Sequence, residues 1–459
     1  MSLSASRAIM PLPLLLAVMG IALFGLIARF SLAEYLASVR PSLAIMLNPH
    51  NPTALLSLAE KGLADLQEAA RERAARYSQI DPSQPDVADG VGRFAFSPED
   101  TDTFDYVGAL TRIRELATRA AEVEPMSFRA QIVLGKVIEL GHPEEPDAPR
   151  QYYEKAERLS IRATEAVYWL MMQDLQNGAD ASAANRADIL LRTVSRATNA
   201  AVAVLANLAE KPNADEHVLR LLRSDPPWKD RFFAALPQFI TDARTPLLLM
   251  SALKEAGYPP TDIQLKAYLT FLMSHKLYDL AYYTWLQFVP PAELAAAGLV
   301  FNGGFDRRPS DSPFDWTVRS GSGAIVDFQP FPDETNQALT VNFSDGRVDF
   351  GGVKQILMLS QGTYTLTGRV RGNMVGRRGL RWRISCIENA KLAETPMHTG
   401  LIPTWQSFEI TFVVPEEDCP AQQLSLVLDA RSSSERFVEG TIWYDDIAVQ
   451  RVGGEIADR

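Results

Sequence analysis

Near Pro291 the apolar residues change their spacing, and that change limits the possible folds more than anything else in the chain. Before it, apolar side chains recur every three or four residues. In "TALLSLAEKGLADLQEAARERAARY", Leu55, Leu56, Ala59, Leu63, Leu66 and Ala70 form one stripe with charged residues opposite. After it they alternate. Tyr364, Leu366 and Val370 oppose Thr365, Thr367, Arg369 and Arg371; Trp382, Ile384 and Cys386 oppose Arg381, Arg383 and Ser385. "SFEITFVV" alternates in the same way, and Gly, Pro and Ser break the runs. One polypeptide therefore builds an α-helical core and then an antiparallel β core, as a multidomain α-then-β protein.

The segment Ala8–Ala28, "AIMPLPLLLAVMGIALFGLIA", carries no charge. At 1.5 Å per residue it spans roughly 30 Å, the thickness of a bilayer's hydrocarbon. Pro11 and Pro13 fall in its first turns, where backbone N–H groups have no helical partner. A cleaved signal peptide is the competing reading, but "LIA" offers a leucine where small residues are expected. The expectation is an uncleaved, single-pass transmembrane helix. Arg7 on one side and Arg29 and Arg40 on the other barely set its orientation. Cys386 and Cys419 are the only cysteines, and both lie in the β-rich part. They read as a disulfide in an oxidising compartment, against the alternative of two buried thiols. A bridge would put the bulk of the chain outside the cytoplasm.

The net charge of −11 is shared by the parts before and after Phe301. No lobe is basic enough to take nucleic acid as a partner. The polar stretch "SQIDPSQPDVADGVGRFAFSPEDTDTFD" reads as a loop or linker. The expected organisation is an anchor over 1–29, juxtamembrane helices and linker over 30–106, a helical domain over 107–297, a β-sandwich over 298–451 and a tail over 452–459.

Within the helical part, Ala120, Pro125, Ala130, Leu134 and Gly135 are spaced like the junction of two tetratricopeptide repeats, and Ala156 and Leu170 continue the pattern. Tyr278, Ala281 and Trp285 resemble the second helix of such a pair. The region from Val107 to Pro291 thus resembles a degenerate tetratricopeptide-like solenoid, which implies a surface for protein partners. A helical bundle that only spaces the next domain from the membrane is the plainer alternative.

From Leu299 to Arg451, "NGGFD", "PFDW", "GTYTLTGRVRG", "WQSFEITFVVP" and "IWYDDIAV" follow in the order of bacterial carbohydrate-binding jelly rolls. The resemblance implies an antiparallel β-sandwich and a candidate structural calcium near the first and last strands. By position its ligands would be Asn302, Asp306 and Asp445, with Asp446 a substitute; otherwise Asn302 and Gly303 are turn formers. Trp316, Trp382 and Trp405 fall where that family has core aromatics. Alternation places Trp443 with Ile447 and Val449 and leaves Tyr444 as the exposed aromatic. If the strands of "RVRGNMVGRRGLRWR" pair as a hairpin, Arg369, Arg371, Arg381 and Arg383 form one basic patch suited to an anionic polysaccharide. The competing reading is a solvated face whose arginines pair with Glu409 or Asp429.

No catalytic residues are expected. The five histidines are scattered, and the chain has no GxSxG elbow, phosphate loop or dinucleotide fingerprint. No cofactor beyond the candidate calcium is implied. Anchor, helical array and sugar-module-like sandwich together look like membrane-anchored proteins of bacterial exopolysaccharide synthesis or export. That resemblance implies a non-enzymatic periplasmic scaffold, anchored once in the bacterial inner membrane, whose helices hold partner proteins and whose sandwich touches glycan or another subunit. A glycan-modifying enzyme with carboxylates in the sandwich cleft and a purely structural tether are the alternatives.

Overall fold

The computed structural model describes residues 12–80, 105–193, 198–295 and 297–453, apart from 320, 333, 345 and 389–390. Arg7, the segment Ala8–Pro11, nearly all of the linker and most of the tail lie outside the described residues. The chain divides into two compact units between Leu221 and Leu222. The stretch expected as one helical domain over 107–297 is therefore shared between them.

The first unit opens with α1 (Leu12–Val39), longer than the uncharged run because Arg29 and Glu34 are accommodated in its second half. Its window Met19–Val39 is long and apolar enough to cross a membrane and is only 6% buried. Ala33 and Ala37 are the exceptions, buried where α1 meets α2 (Pro41–Leu47) and α3 (Pro52–Ile80). Asn51 fixes the α2–α3 corner: its Oδ1 accepts the Ala54 N–H at 2.8 Å and its Nδ2 donates to Glu34 at 2.8 Å.

Helices α4 (Tyr106–Val123), α5 (Phe128–Gly141), α6 (Arg150–Leu159), α7 (Thr164–Gln176), α8 (Asp180–Thr193) and α9 (Thr198–Glu210) each pack on the next. The small residues noted in sequence lie at these contacts. Ala120, Ala130 and Ala156 are buried, and a Cβ on Gly135 would stand 2.9 Å from the Tyr153 ring. An ionic knot joins α6, α7 and α8. The fully buried Asp174 takes Arg150 at 2.7 Å and also Arg186, which holds Glu157 at 2.9 Å. Losing one partner would strand a buried charge, so the knot fixes how these helices register.

The second unit begins within α10 (Asp215–Arg223) and continues through α11 (Lys229–Ala235), α12 (Thr245–Glu255), α13 (Asp262–Ser274), α14 (Tyr278–Phe288) and α15 (Pro291–Ala295). Thr261 and Gln264 form a capping box that starts α13. Trp285 of α14 meets Phe301 edge-on at 4.8 Å and Phe314 at 5.7 Å, joining helices and strands by apolar contact.

Among the described residues, ten strands follow in two five-stranded antiparallel sheets. One has the order β1 (Thr317–Val318), β4 (Val353–Leu357), β9 (Gln422–Leu428), β6 (Leu380–Cys386), β7 (Lys391–Glu394). The other has the order β2 (Ala324–Pro330), β3 (Gln337–Phe343), β10 (Val438–Arg451), β5 (Gly362–Gly376), β8 (Gly400–Val414). Their apolar faces close on one core that includes Leu366, Val370, Trp382, Ile384, Phe408 and Leu426. Cys386 and Cys419 are bonded, tying the end of β6 to the segment before β9 across a Cα separation of 5.0 Å.

The abrupt "NGGFD" now has a structural reason. Asn302 and Phe305 both take positive φ, and the backbone turns tightly against β10. Gly303 accepts the Ile447 N–H at 2.9 Å, and a Cβ there would lie 1.9 Å from the Ile447 carbonyl oxygen. Only glycine permits that approach. The Asn302 carbonyl then accepts the Trp316 indole N–H at 2.8 Å.

Candidate functional site

Two irregularities in the second sheet bring its polar chemistry together. The first is in β10, where the pairing with β5 slips between Asp445 and Ala448. Asp446 takes φ +52° and is the extra residue, so strand parity inverts there. Ile442 and Tyr444 before it, and Ile447 and Val449 after it, all face the core. The expected exposure of Tyr444 is thereby corrected: it is fully buried, edge-on to Trp382 at 5.7 Å and hydrogen-bonded to His398 at 3.1 Å. Trp443 points outward instead. The second irregularity is in β8, whose register with β5 jumps between Gln406 and Ile402. The bulge carries Trp405, which is half-buried on the outer side and not in the core as the resemblance to carbohydrate-binding jelly rolls implied.

The expected four-arginine patch does not form. Strands β5 and β6 belong to different sheets, with β5 paired to β10 and β8, and β6 to β9 and β7. Both bury their apolar faces in the same core from opposite sides, so their arginines point in opposite directions. Arg381 is held by Glu394 and Asp429, each at 2.7 Å, and Arg383 reaches Glu394 at 3.3 Å. These charges are internally neutralised, Asp429 being one of the partners expected from sequence.

Arg369 and Arg371 lie in a different setting. Across the outer face, Thr340 of β3, Trp443 of β10 and Arg371 of β5 are in direct register, with Asp327 of β2 beyond Thr340. Trp405 adjoins this row from the β8 bulge, its ring 5.1 Å from the Arg369 guanidinium. Arg369 pairs with Asp445 at 2.7 Å and Asp446 at 2.6 Å. The segment after β2 supplies three more groups. Phe331 packs edge-on to Trp443 at 4.8 Å and lies 3.7 Å from the Arg371 guanidinium. Glu334 accepts from Arg371 Nη1 at 3.2 Å and from Trp405 Nε1 at 3.1 Å. Asn336 donates to Asp445 at 2.9 Å. Burial pushes the Asp445 carboxyl up from its ordinary value and the Asp446 charge adds to this, against the Asp446 N–H and Arg369. Sequence reasoning passed over Phe331, Glu334 and Thr340, because local spacing does not report which residues lie beside Trp443 and Arg371.

Two of the candidate calcium ligands, Asn302 and Asp445, are engaged by protein groups. Asn302 uses its side chain on the Arg307 backbone, donating to the carbonyl at 2.8 Å. Asp445 Oδ2 faces Arg369 and Asn336, and its Oδ1 accepts the Asp446 N–H at 2.7 Å. Asp306 is exposed beside Gly304. Among the described residues, no group of three or more His, Cys, Asp or Glu side chains is placed to hold a metal. In the first unit, a cleft of about 440 Å³ is lined by Leu63, Phe128 and Ile132 with Arg129, Lys136 and Glu165.

No protein-family model matches the sequence, and no curated protein matches it. Solved structures do align with about a third of the chain. A structure described as CBM4 covers 33% of this chain and 99% of its own length at 20% identity, with a TM-score of 0.25. TmCBM61, solved in complex with β-1,4-galactotriose, covers 34% and 99% at 17% identity and a TM-score of 0.25. The CBM22-1 xylan-binding domain of Paenibacillus barcinonensis Xyn10C covers 33% and 94% at 13% identity, with a TM-score of 0.23.

Proposed function

We propose that this chain is a non-enzymatic, membrane-anchored binding protein whose β-sandwich holds glycan on the outer face of the β2-β3-β10-β5-β8 sheet. The row of Trp443, Arg371 and Thr340 with Trp405 beside it carries the reading. Aromatic rings offer a flat apolar surface to the C–H face of a pyranose, and the flanking guanidinium and hydroxyl groups bond sugar oxygens. Support for the anchor comes from α1, and support for an oxidising compartment such as the periplasm comes from the Cys386–Cys419 bridge. The helices of the first unit take protein partners, for which the mixed apolar and charged cleft between α3 and α5 is suited. In this reading the protein serves polysaccharide assembly or export at the bacterial inner membrane.

Glycan titration of the full-length protein in detergent tests the reading. Trp443→Ala and Trp405→Ala should each weaken binding roughly tenfold, with no release of reducing ends. Equal binding by both variants and the wild type would move the site elsewhere, and reducing-end release would make the protein an enzyme.

A further inference from the structure

Glu334 and Phe331 occupy the face just described in a way that specifies its ligand. The Glu334 N–H donates to the Phe331 carbonyl at 2.9 Å, which ties the two residues together. The carboxylate sits between a guanidinium N–H and an indole N–H, at 3.2 Å from Arg371 Nη1 and 3.1 Å from Trp405 Nε1. The ring lies over Arg371 and against Trp443. An apolar ring face with a carboxylate at its edge is also the shape of a uronosyl residue. What Phe331 and Glu334 lack is hydroxyl groups. In the same row, Thr340 Oγ1 and Trp443 Nε1 are buried with no hydrogen-bond partner among the described residues, and Thr340 is 98% buried as a residue. A sugar hydroxyl can accept from the indole and bond the threonine. Arg371 is further aimed by its Nε, which donates to the Pro403 carbonyl in the β8 bulge at 3.0 Å.

We infer that Phe331 and Glu334 are an internal stand-in for a carboxylated sugar, and that a uronic-acid glycan binds here by displacing them onto Arg371, Trp405, Trp443 and Thr340. This rests on the glycan-face reading above and adds the ligand's chemical class. A built-in competitor lowers apparent affinity by the fraction of time it fills the site, so removing its charge should release that fraction.

The test uses the full-length protein with oligogalacturonate and, as a neutral probe of the same ring, its methyl ester. Glu334→Gln should tighten oligogalacturonate binding about fivefold, the worth of one partly exposed charge-assisted contact, and tighten the ester by no more than that. Phe331→Ala should tighten both, and Arg371→Gln added to Glu334→Gln should abolish the gain. If wild type binds either probe but Glu334→Gln binds the acid no better, the stand-in idea is wrong while the glycan face survives. If only the ester or other neutral glycans bind, the ligand class is wrong. If no glycan binds wild type or any variant, the glycan-face reading falls too, and the inference with it. Thermal unfolding of each variant separates loss of folding from loss of competition.

Discussion

His398 gives the sandwich an acid-sensitive core, and the size of the effect follows from its surroundings. It is 8% exposed, in the link before β8, with both backbone groups bonded to Leu380 at 2.7 and 3.1 Å. Its Nδ1 lies 3.1 Å from the Tyr444 hydroxyl and its ring 4.9 Å from Phe408. Burial, and then the positive charge of Arg381, push the imidazole down to about 4 from 6.5. Between those values the unfolded chain holds a proton that the folded chain refuses. Stability is therefore complete above about pH 6.5 and is lost as pH falls toward 4. Each pH unit in that window costs about 1.4 kcal/mol, roughly 3 kcal/mol in all. Asp315 and Asp445 act with the opposite sign. Burial raises both carboxyls, so their contribution is present at low pH and fades as pH rises through their folded values. Comparison with His398→Gln cancels them, since glutamine keeps a polar partner for Tyr444 and does not titrate. Urea unfolding followed by the buried Trp316 and Trp382 should show the wild type losing about 3 kcal/mol relative to the variant between pH 6.5 and 4. A flat difference, or a His398 resonance titrating near 6.5 in the folded protein, would refute the reasoning.

The disulfide closes a sequence separation of 33 residues, which in the chain-entropy account stabilises the sandwich by about 4 kcal/mol. Cys386→Ser with Cys419→Ser should lower its urea midpoint accordingly, and an unchanged midpoint would show the bridge to be incidental. Chelation by EDTA should leave the melting temperature within about 1 °C, because the Asp445 oxygens already accept N–H bonds from Arg369, Asn336 and Asp446. A fall of several degrees would make Asp306 and Asp445 calcium ligands.

The two classes of core were legible because each depends on local spacing. Leu55, Leu56, Ala59, Leu63 and Leu66 are buried along one helix, and Tyr364, Leu366, Val370, Trp382, Ile384 and Phe412 along strands, as their periodicities require. The disulfide was legible for a simpler reason: two cysteines in one sandwich have few other arrangements open to them. Strand pairing was not legible, since adjacency in sequence favours a hairpin and nothing local reports that β5 and β6 cross from one sheet to the other. Tyr444 and Trp443 exchanged their expected roles because alternation was counted backward from Ile447 and Val449 through Asp446, a residue that interrupts the count.

That interruption is also what makes a site possible. A regular β10 with Ile447 and Val449 inward would have Asp445 inward and Tyr444 outward, so the aspartate charge would enter the core without Arg369. With Asp446 as the extra residue, Asp445 joins the outer face, where Arg369 and Asn336 satisfy it, and Trp443 replaces Tyr444 opposite Arg371. The β8 bulge does the same for Trp405 and turns the Pro403 carbonyl toward Arg371. Bulges leave ladder groups unpaired and are retained where the redirected side chain has a use. Two of them, on strands flanking the same β5, redirect indoles toward the same pair of arginines.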